Sequence, residues 1–448
     1  MKESSGNNGQ PRESYASRLG MLMVLIGGSV GLGNIWKFPY MTGANGGACF
    51  LLIYFAVILI FGIPMIMLEL SIGRKTRKPI VPALKELRPN GKWYLIGYYG
   101  VTVCCLVYAE YVTVSGWSLA YAIKALTGEF IGQTPDSIAG AFIGFIGNGP
   151  LTIFYMLLIL VISAGIVCMG VQKGLERISK FLMPLLYVCL IVLAVRAVTL
   201  PNAMDGIRFF LMPDFRKVNG SVVLAAFGQA FFSLGLGLGA TTTLGSYGDG
   251  TSDMVSDTCF VAGGDSAVAF LAGFVVFPCV FAYGMSPEAG PSLVFITLNS
   301  VFAQMPGGRF FGVVFYLLLL LAIFTSTITI LQVIVAHFVE NAHMSTKRAA
   351  VAASVIGFLV GLPYCLGFGL LSNVQIFGRS ISDLCDLLLN IGTPLGALML
   401  CVFVGWIWGT DASADTIGLK APAVRKIWHI LIRYCAPIII LGVLVSGI

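Results

Sequence analysis

Eleven apolar stretches dominate this chain, at about 17–40, 47–73, 94–126, 150–170, 178–199, 222–247, 258–283, 307–340, 346–363, 384–409 and 427–446. A helix needs about 20 apolar residues to cross a bilayer, and most of these stretches reach that length. Backbone polar groups in lipid must be bonded within their own segment, which favours helices. Charged residues make up 10% of the chain, against about 25% in a soluble protein. A mean hydropathy of +0.91 leaves no room for a large soluble domain. The expected fold is an all-α integral membrane protein with eleven transmembrane helices, in a single domain over residues 1–448.

The placement of charge gives an orientation. Basic residues cluster at Arg74–Lys78, Lys85–Lys92, Lys173–Lys180, Lys347–Arg348 and Lys420–Lys426, in alternate connections. With Lys2, Arg12 and Arg18, 18 of the 27 basic residues fall on one side. The positive-inside rule makes that side cytoplasmic. The polar segment 1–16 is therefore expected in the cytoplasm, and an odd number of spans puts the C-terminus outside. No apolar leader with a cleavage site precedes the first span, so no signal peptide is expected. The expected location is the cell's inner (plasma) membrane, with the lipid bilayer as partner. Segments 127–149, 200–220 and the Pro-broken 285–306 read as external loops, the last as short helices over the outer mouth.

Several function classes fall away. Nucleic-acid binding calls for charge on a soluble domain, so no nucleic-acid partner is expected. The three histidines, His337, His343 and His429, form no metal-binding or catalytic spacing, and the eleven cysteines show no CxxC. No enzyme is expected. No filter-like repeat or charged ring suggests a channel.

Two of the apolar segments are unusually rich in glycine. One reads Gly27-Gly28-Ser29-Val30-Gly31-Leu32-Gly33-Asn34, the other Ser233-Leu234-Gly235-Leu236-Gly237-Leu238-Gly239, with Gly228 one turn earlier. Glycine costs about 1 kcal/mol against alanine inside a helix. Close helix packing explains glycine alone, but Asn34 and Ser233 add polar groups at mid-span. The two segments also open successive sets of five, about 17–199 and 222–409, with 427–446 as an eleventh helix. Interrupted helices in matching positions of two halves mark a carrier's binding site. Their free N–H ends suit a carboxylate and their carbonyl ends a cation.

The residues at these breaks carry a resemblance. Arg18-Leu19-Gly20, then Gly31-Leu32-Gly33-Asn34-Ile35-Trp36-Lys37-Phe38-Pro39-Tyr40, resembles the first-span signature of the neurotransmitter:sodium symporters. Asn45-Gly46-Gly47, Gly62-Ile63-Pro64, Glu69, Gly228–Leu234 and Ser246-Tyr247 continue it in order, from about residue 12 to 446. The chain is most similar to the short bacterial amino-acid transporters, which have eleven spans and no twelfth.

The resemblance implies an inverted five-helix repeat with helices 1 and 6 unwound at mid-membrane. It implies sodium-coupled symport by alternating access, with two sodium ions and no organic cofactor. The first sodium site would use Ser29, Asn34, Ser233 and Asp265, completed by the substrate carboxylate. The second would use the carbonyls of Gly27, Val30 and Ala322 with the hydroxyls of Thr325 and Ser326. Gly28, Ser29, Gly31, Leu32 and Gly33 would face the substrate from the first break. Tyr111 would bond its carboxylate, and Glu69 would orient the unwound first span. Val107, Phe232, Gly235, Leu238, Ser326 and Ile330 would line the rest of the pocket, with Phe232 as an aromatic lid.

An apolar wall of this kind suits hydrophobic or aromatic L-amino acids. Gly31 stands where monoamine carriers have an aspartate, which argues against a monoamine. Taurine, a betaine or GABA is the alternative substrate class, and a binding-only sensor the alternative mechanism. Chloride-dependent relatives carry Asn at the Asp265 position and a serine one turn later. This chain has Asp265 and Ala269, so the expectation is independence of chloride. Asp265 would cost roughly 2.5–3.5 kcal/mol at a helix centre, which favours a functional role. Glu110, a second intramembrane acid, faces a watery vestibule or is protonated.

The gates follow from the same resemblance. Arg12 and Glu340 would close the inner side, near Tyr247. Lys37, which lacks the bidentate fork of arginine, would close the outer side through a water-bridged contact with Asp386, or with Asp383. Gly174 and Pro184 bracket a stretch expected to unwind for inward release of the second sodium.

Overall fold

The computed structural model describes residues 13–248, 250–286 and 293–446. Among these residues, nine helices are long and apolar enough to cross a membrane, and ten if the bent pair Arg18–Ser29 and Gly33–Ala44 is one span. The pair, bent by 52°, is span 1. Spans 2 to 5 are Ala48–Thr76, Tyr94–Thr127, Gly149–Cys168 and Val171–Val198. Spans 7 to 11 are Met254–Ala282, Gly308–Asn341, Thr346–Leu366, Ile381–Trp408 and Pro422–Val445. Between them Gly220–Ser233 and Ala240–Gly245, too short singly, make the broken span 6. Counted this way, the spans number eleven.

Local chemistry sets the ends. Ser17, Asn148, Asn219 and Ser380 cap spans 1, 4, 6 and 10, each accepting from a backbone N–H three residues on. Such caps stabilise a helix by about 0.5–2 kcal/mol. Spans 3 and 8, each 34 residues long, form the most extensive helix pair and the scaffold beside the breaks.

The breaks have different backbones. Span 1 stops at Val30, which is extended (φ −70°, ψ 115°), and resumes in a wide turn over Gly33–Lys37. Span 6 is interrupted by Gly235, Gly237 and Gly239, all left-handed at φ 60°, 84° and 68°. A residue with a Cβ loses roughly 1–2 kcal/mol in that conformation. At Gly237 a Cβ would also run into the backbone of Thr393 and Ala397 in span 10.

The external segments are more structured than expected. Segment 127–149 contains the helix Pro135–Gly147, and 200–220 contains Ala203–Leu211. Within 285–306, Leu293–Gln304 is helical, and its buried Phe295 stacks on Phe142 at 5.1 Å and meets Trp36, Trp117 and Tyr121 edge-on. The fifth span also differs. It begins at Val171 rather than 178, and Pro184 lies inside a helix running unbroken over Arg177–Val198. The stretch between Gly174 and Pro184 is wound, because the proline sits in a helix packed on spans 1, 7 and 8.

Candidate functional site

The two breaks and span 7 bring one polar cluster together. Asn34 Nδ2 donates to Ser233 Oγ at 3.0 Å and to Asp265 Oδ1 at 2.9 Å. Ser233 Oγ donates to Asp265 Oδ2 at 3.0 Å, and Tyr54 Oη donates to Ser233 Oγ at 3.2 Å. The Ser29 hydroxyl bonds back to the Ile26 carbonyl at 3.0 Å. Asn34 Oδ1 accepts from Gly31 N at 3.1 Å, which pins the break in span 1. Asn34 and Asp265 are fully buried. A buried carboxylate is tolerable only when its lone pairs are met, and these contacts from spans 1 and 6 meet them. Tyr54 was not singled out by sequence.

A second cluster lies between spans 1 and 8. Ser326 Oγ is 2.7 Å from Val30 O, 3.2 Å from Gly27 O and 3.3 Å from Ala322 O. Thr325 Oγ1 bonds the same Ala322 carbonyl at 2.9 Å. All five residues of the expected second sodium site thus converge. Met183 of span 5 covers them: a Cβ on Gly27 would lie 3.4 Å from its sulfur and 3.3 Å from Thr325 Cβ. No group of three or more His, Cys, Asp or Glu able to hold a metal exists among the described residues. The oxygens gathered here are carbonyls and hydroxyls, which suit an alkali cation.

A small cavity of about 50 Å³ adjoins the first cluster. Gly28, Ser29, Val107, Tyr111, Phe232, Gly235, Leu238 and Ile330 line it, as expected. Ser326, Gly31 and Gly33 do not, and Leu32 faces outward instead. Ile66, Thr241, Leu244, Val261 and Thr329 line it without having been foreseen. A Cβ on Gly31 would lie 2.7 Å from Ser326 Oγ and 3.3 Å from Tyr111 Oη, so an acidic side chain has no room there.

Phe232 also lines a second chamber of about 320 Å³, with Trp36, Lys37, Glu110, Asp383, Asp386 and Asn390. One ring therefore separates the two volumes. Glu110 lines this vestibule, and its Oε2 is buried without a hydrogen-bond partner among the described residues. Lys37 shares this chamber with Asp383 and Asp386. Its Nζ donates to Asn390 Oδ1 at 3.0 Å and lies 4.0 Å from the Phe232 ring centroid. It is not within ion-pair distance of Asp383 or Asp386 among the described residues. Asn390 is one helical turn past Asp386 on the same face of span 10, which brings the amide to the ammonium first.

Glu69 is also corrected. It is fully buried, and Oε1 accepts from Gly237 N at 2.7 Å. The Thr242 hydroxyl donates to the Glu69 main-chain carbonyl at 2.9 Å, and Glu69 Oε2 is buried without a partner among the described residues. Glu69 thus holds the break in span 6, not span 1. At the opposite end, Tyr15 N donates to Tyr247 O at 3.0 Å, and Gln332 Nε2 donates to the Tyr247 hydroxyl at 3.0 Å. Glu340 lies in the last turn of span 8. Arg12 lies outside the described residues.

Comparison with known proteins agrees with this architecture. The model of the sodium:neurotransmitter symporter family matches residues 12–135 and 143–448. A sodium-dependent transporter of Haemophilus influenzae is 37% identical over 98% of this chain and 99% of its own length. One from Bacillus subtilis is 34% identical over 96% and 97%. The human sodium- and chloride-dependent creatine transporter 1 is 27% identical over 98% of this chain and 77% of its own. The crystal structure of MhsT in complex with L-phenylalanine superposes with a TM-score of 0.90 at 40% identity, covering 98% of this chain and 100% of that one. A whole-chain match of this kind, on a helical fold with both expected breaks, means that the chain belongs to the sodium:neurotransmitter symporter family.

Proposed function

We propose that this sodium-dependent symporter carries hydrophobic or aromatic L-amino acids by alternating access, with two sodium ions and without chloride. The observation behind the reading is the meeting of Asn34, Ser233 and Asp265 at the two helix breaks, beside a mainly apolar cavity. The likeness to a protein crystallised with L-phenylalanine supports the substrate class.

In this reading the first sodium takes the Asp265 carboxylate, Ser233 Oγ, the Ser29 carbonyl and the Asn34 side chain. An amide nitrogen cannot ligate a cation, so Asn34 turns its oxygen toward the ion and gives up its contacts with Asp265. The substrate carboxylate completes the shell and accepts from Tyr111 and from N–H groups at the span 1 break. The second sodium takes the carbonyls of Gly27, Val30 and Ala322 with the Thr325 and Ser326 hydroxyls. The Ser326 proton rotates away from those carbonyls as the ion enters. Val107, Phe232, Leu238 and Ile330 receive the side chain.

Coupling follows because substrate and first sodium share a ligand, so each raises the affinity of the other. The membrane potential adds roughly 2.3 kcal/mol per charge per 100 mV. The N-terminus is cytoplasmic and the C-terminus external, and the broken spans 1 and 6 move against the scaffold that spans 3 and 8 form.

Labelled phenylalanine, leucine and tryptophan should bind purified protein in sodium and not in potassium. Equal binding in both salts would refute the coupling. Sodium-dependent uptake into vesicles that survives replacement of chloride by gluconate is also expected, and its collapse would refute the role given to Asp265.

A further inference from the structure

Away from the two chambers, a guanidinium sits on the outer surface of the helix bundle with no polar partner. Arg433 belongs to a wide turn, Leu431–Cys435, in span 11. Facing it is a matching turn in span 10, Phe403–Trp408. Gly405 permits the approach, since a Cβ there would lie 3.3 Å from Arg433 Cα. The Arg433 guanidinium carbon is 5.5 Å from the Trp406 ring centroid and 5.8 Å from that of Tyr434. Those rings are 42% and 48% exposed, so they look outward from the bundle rather than into it.

Arg433 makes no hydrogen bond or ion pair among the described residues, and its Nε is buried without a partner. The acids nearby are committed elsewhere. Asp411 and Asp415 hold Arg425, and the His429 ring is paired with Thr410 Oγ1 at 2.7 Å. Arg88 is likewise spent on the Ile407 carbonyl at 2.9 Å.

Depth decides what can complete the site. Trp406 lies two residues before the end of span 10 at Trp408, or about 3 Å along the axis. Arg433 packs opposite Gly405, so it lies at the same level. Trp406, exposed near its span's end, marks the boundary between acyl chains and headgroups. A charge there, with unused donors, requires an anion. The guanidinium fork matches two phosphate oxygens, and is the side chain best suited to them.

We propose that Arg433, flanked by Trp406 and Tyr434, binds the phosphate of an anionic phospholipid. The rings pack on its glycerol and upper acyl carbons. A dissolved phosphate would leave those rings uncovered, which is why the lipid is the chosen source. The assignment rests on membrane embedding alone, not on the substrate or ion readings above.

Native mass spectrometry of the purified full chain, titrated with phosphatidylglycerol, tests it. Wild type should hold one phosphatidylglycerol roughly fivefold more tightly than R433Q. K426Q, at an exposed cation two turns earlier, should match wild type. Phosphatidylcholine should show a smaller difference between wild type and R433Q, and inorganic phosphate should not displace the lipid. Equal retention of phosphatidylglycerol by wild type and R433Q overturns the site. So does an equal Arg433 effect with phosphatidylcholine, or displacement by inorganic phosphate. If R433Q does not fold, R433K keeps the charge without the fork. Weaker retention by R433K then supports the assignment, and equal retention overturns it.

Discussion

The Asn34 amide nitrogen donates twice to Asp265, at 3.1 Å to its carbonyl oxygen and 2.9 Å to its carboxylate. On the proposed function, the Asp265 carboxylate is thus held by a group that a sodium ion would displace. D265N keeps the shape and removes the charge. Sodium affinity should fall by roughly tenfold, about 1.4 kcal/mol. Chloride should not restore it, because Ala269 offers no hydroxyl one turn later. Sodium titrations of labelled phenylalanine binding, in chloride and in gluconate, check both points.

Gly237 combines a left-handed backbone with contact against span 10. G237A should lower the melting temperature in detergent and abolish sodium-dependent binding. The conformational penalty alone is roughly 1–2 kcal/mol, and the clash with Thr393 and Ala397 adds to it. E69Q acts on the same break more gently, by weakening the acceptor for Gly237 N. It should reduce binding while leaving most of the protein folded, as judged by size-exclusion profile.

Phe232 is the partition between cavity and vestibule. F232A should join the two volumes. Labelled substrate should then dissociate roughly thirtyfold faster, a change of about 2 kcal/mol, with a smaller effect on the association rate. Stopped dilution into unlabelled substrate measures this. An unchanged off-rate would mean that another group retains the ligand.

Pro184 interrupts the hydrogen bonding of a helix that is nonetheless continuous. Proline inside a helix costs about 3 kcal/mol or more, so this segment is poised to open. P184A removes that weakness and should slow net uptake more than binding. Exchange and uptake assays at saturating sodium separate the two. G174A is a poorer probe, because its Cβ would strike the Ile166 carbonyl and disturb the turn between spans 4 and 5.

Legibility in the sequence followed the length scale of each signal. Hydropathy over 20 or more residues outlined the spans, and glycine at alternate positions announced the break in span 6. Asp265 was visible because an intramembrane acid needs a reason to be there. Partners chosen across the fold were not legible. Asn390, rather than Asp386, reaches Lys37, and only the rotation of span 10 decides between residues one turn apart. Glu69 serves Gly237, although its own motif lies nearer in sequence to span 1. Tyr54, Val261 and Thr241 carry no local mark of what they face.

The three left-handed glycines of span 6 also constrain how such a protein can diversify. Positions that only glycine can occupy admit no exchange of side chains, so the backbone path through that break cannot be altered without unmaking the fold. Val107, Leu238 and Ile330, by contrast, can be swapped singly at a cost in packing alone. Variation, natural or engineered, is thereby channelled into the cavity wall and away from the break.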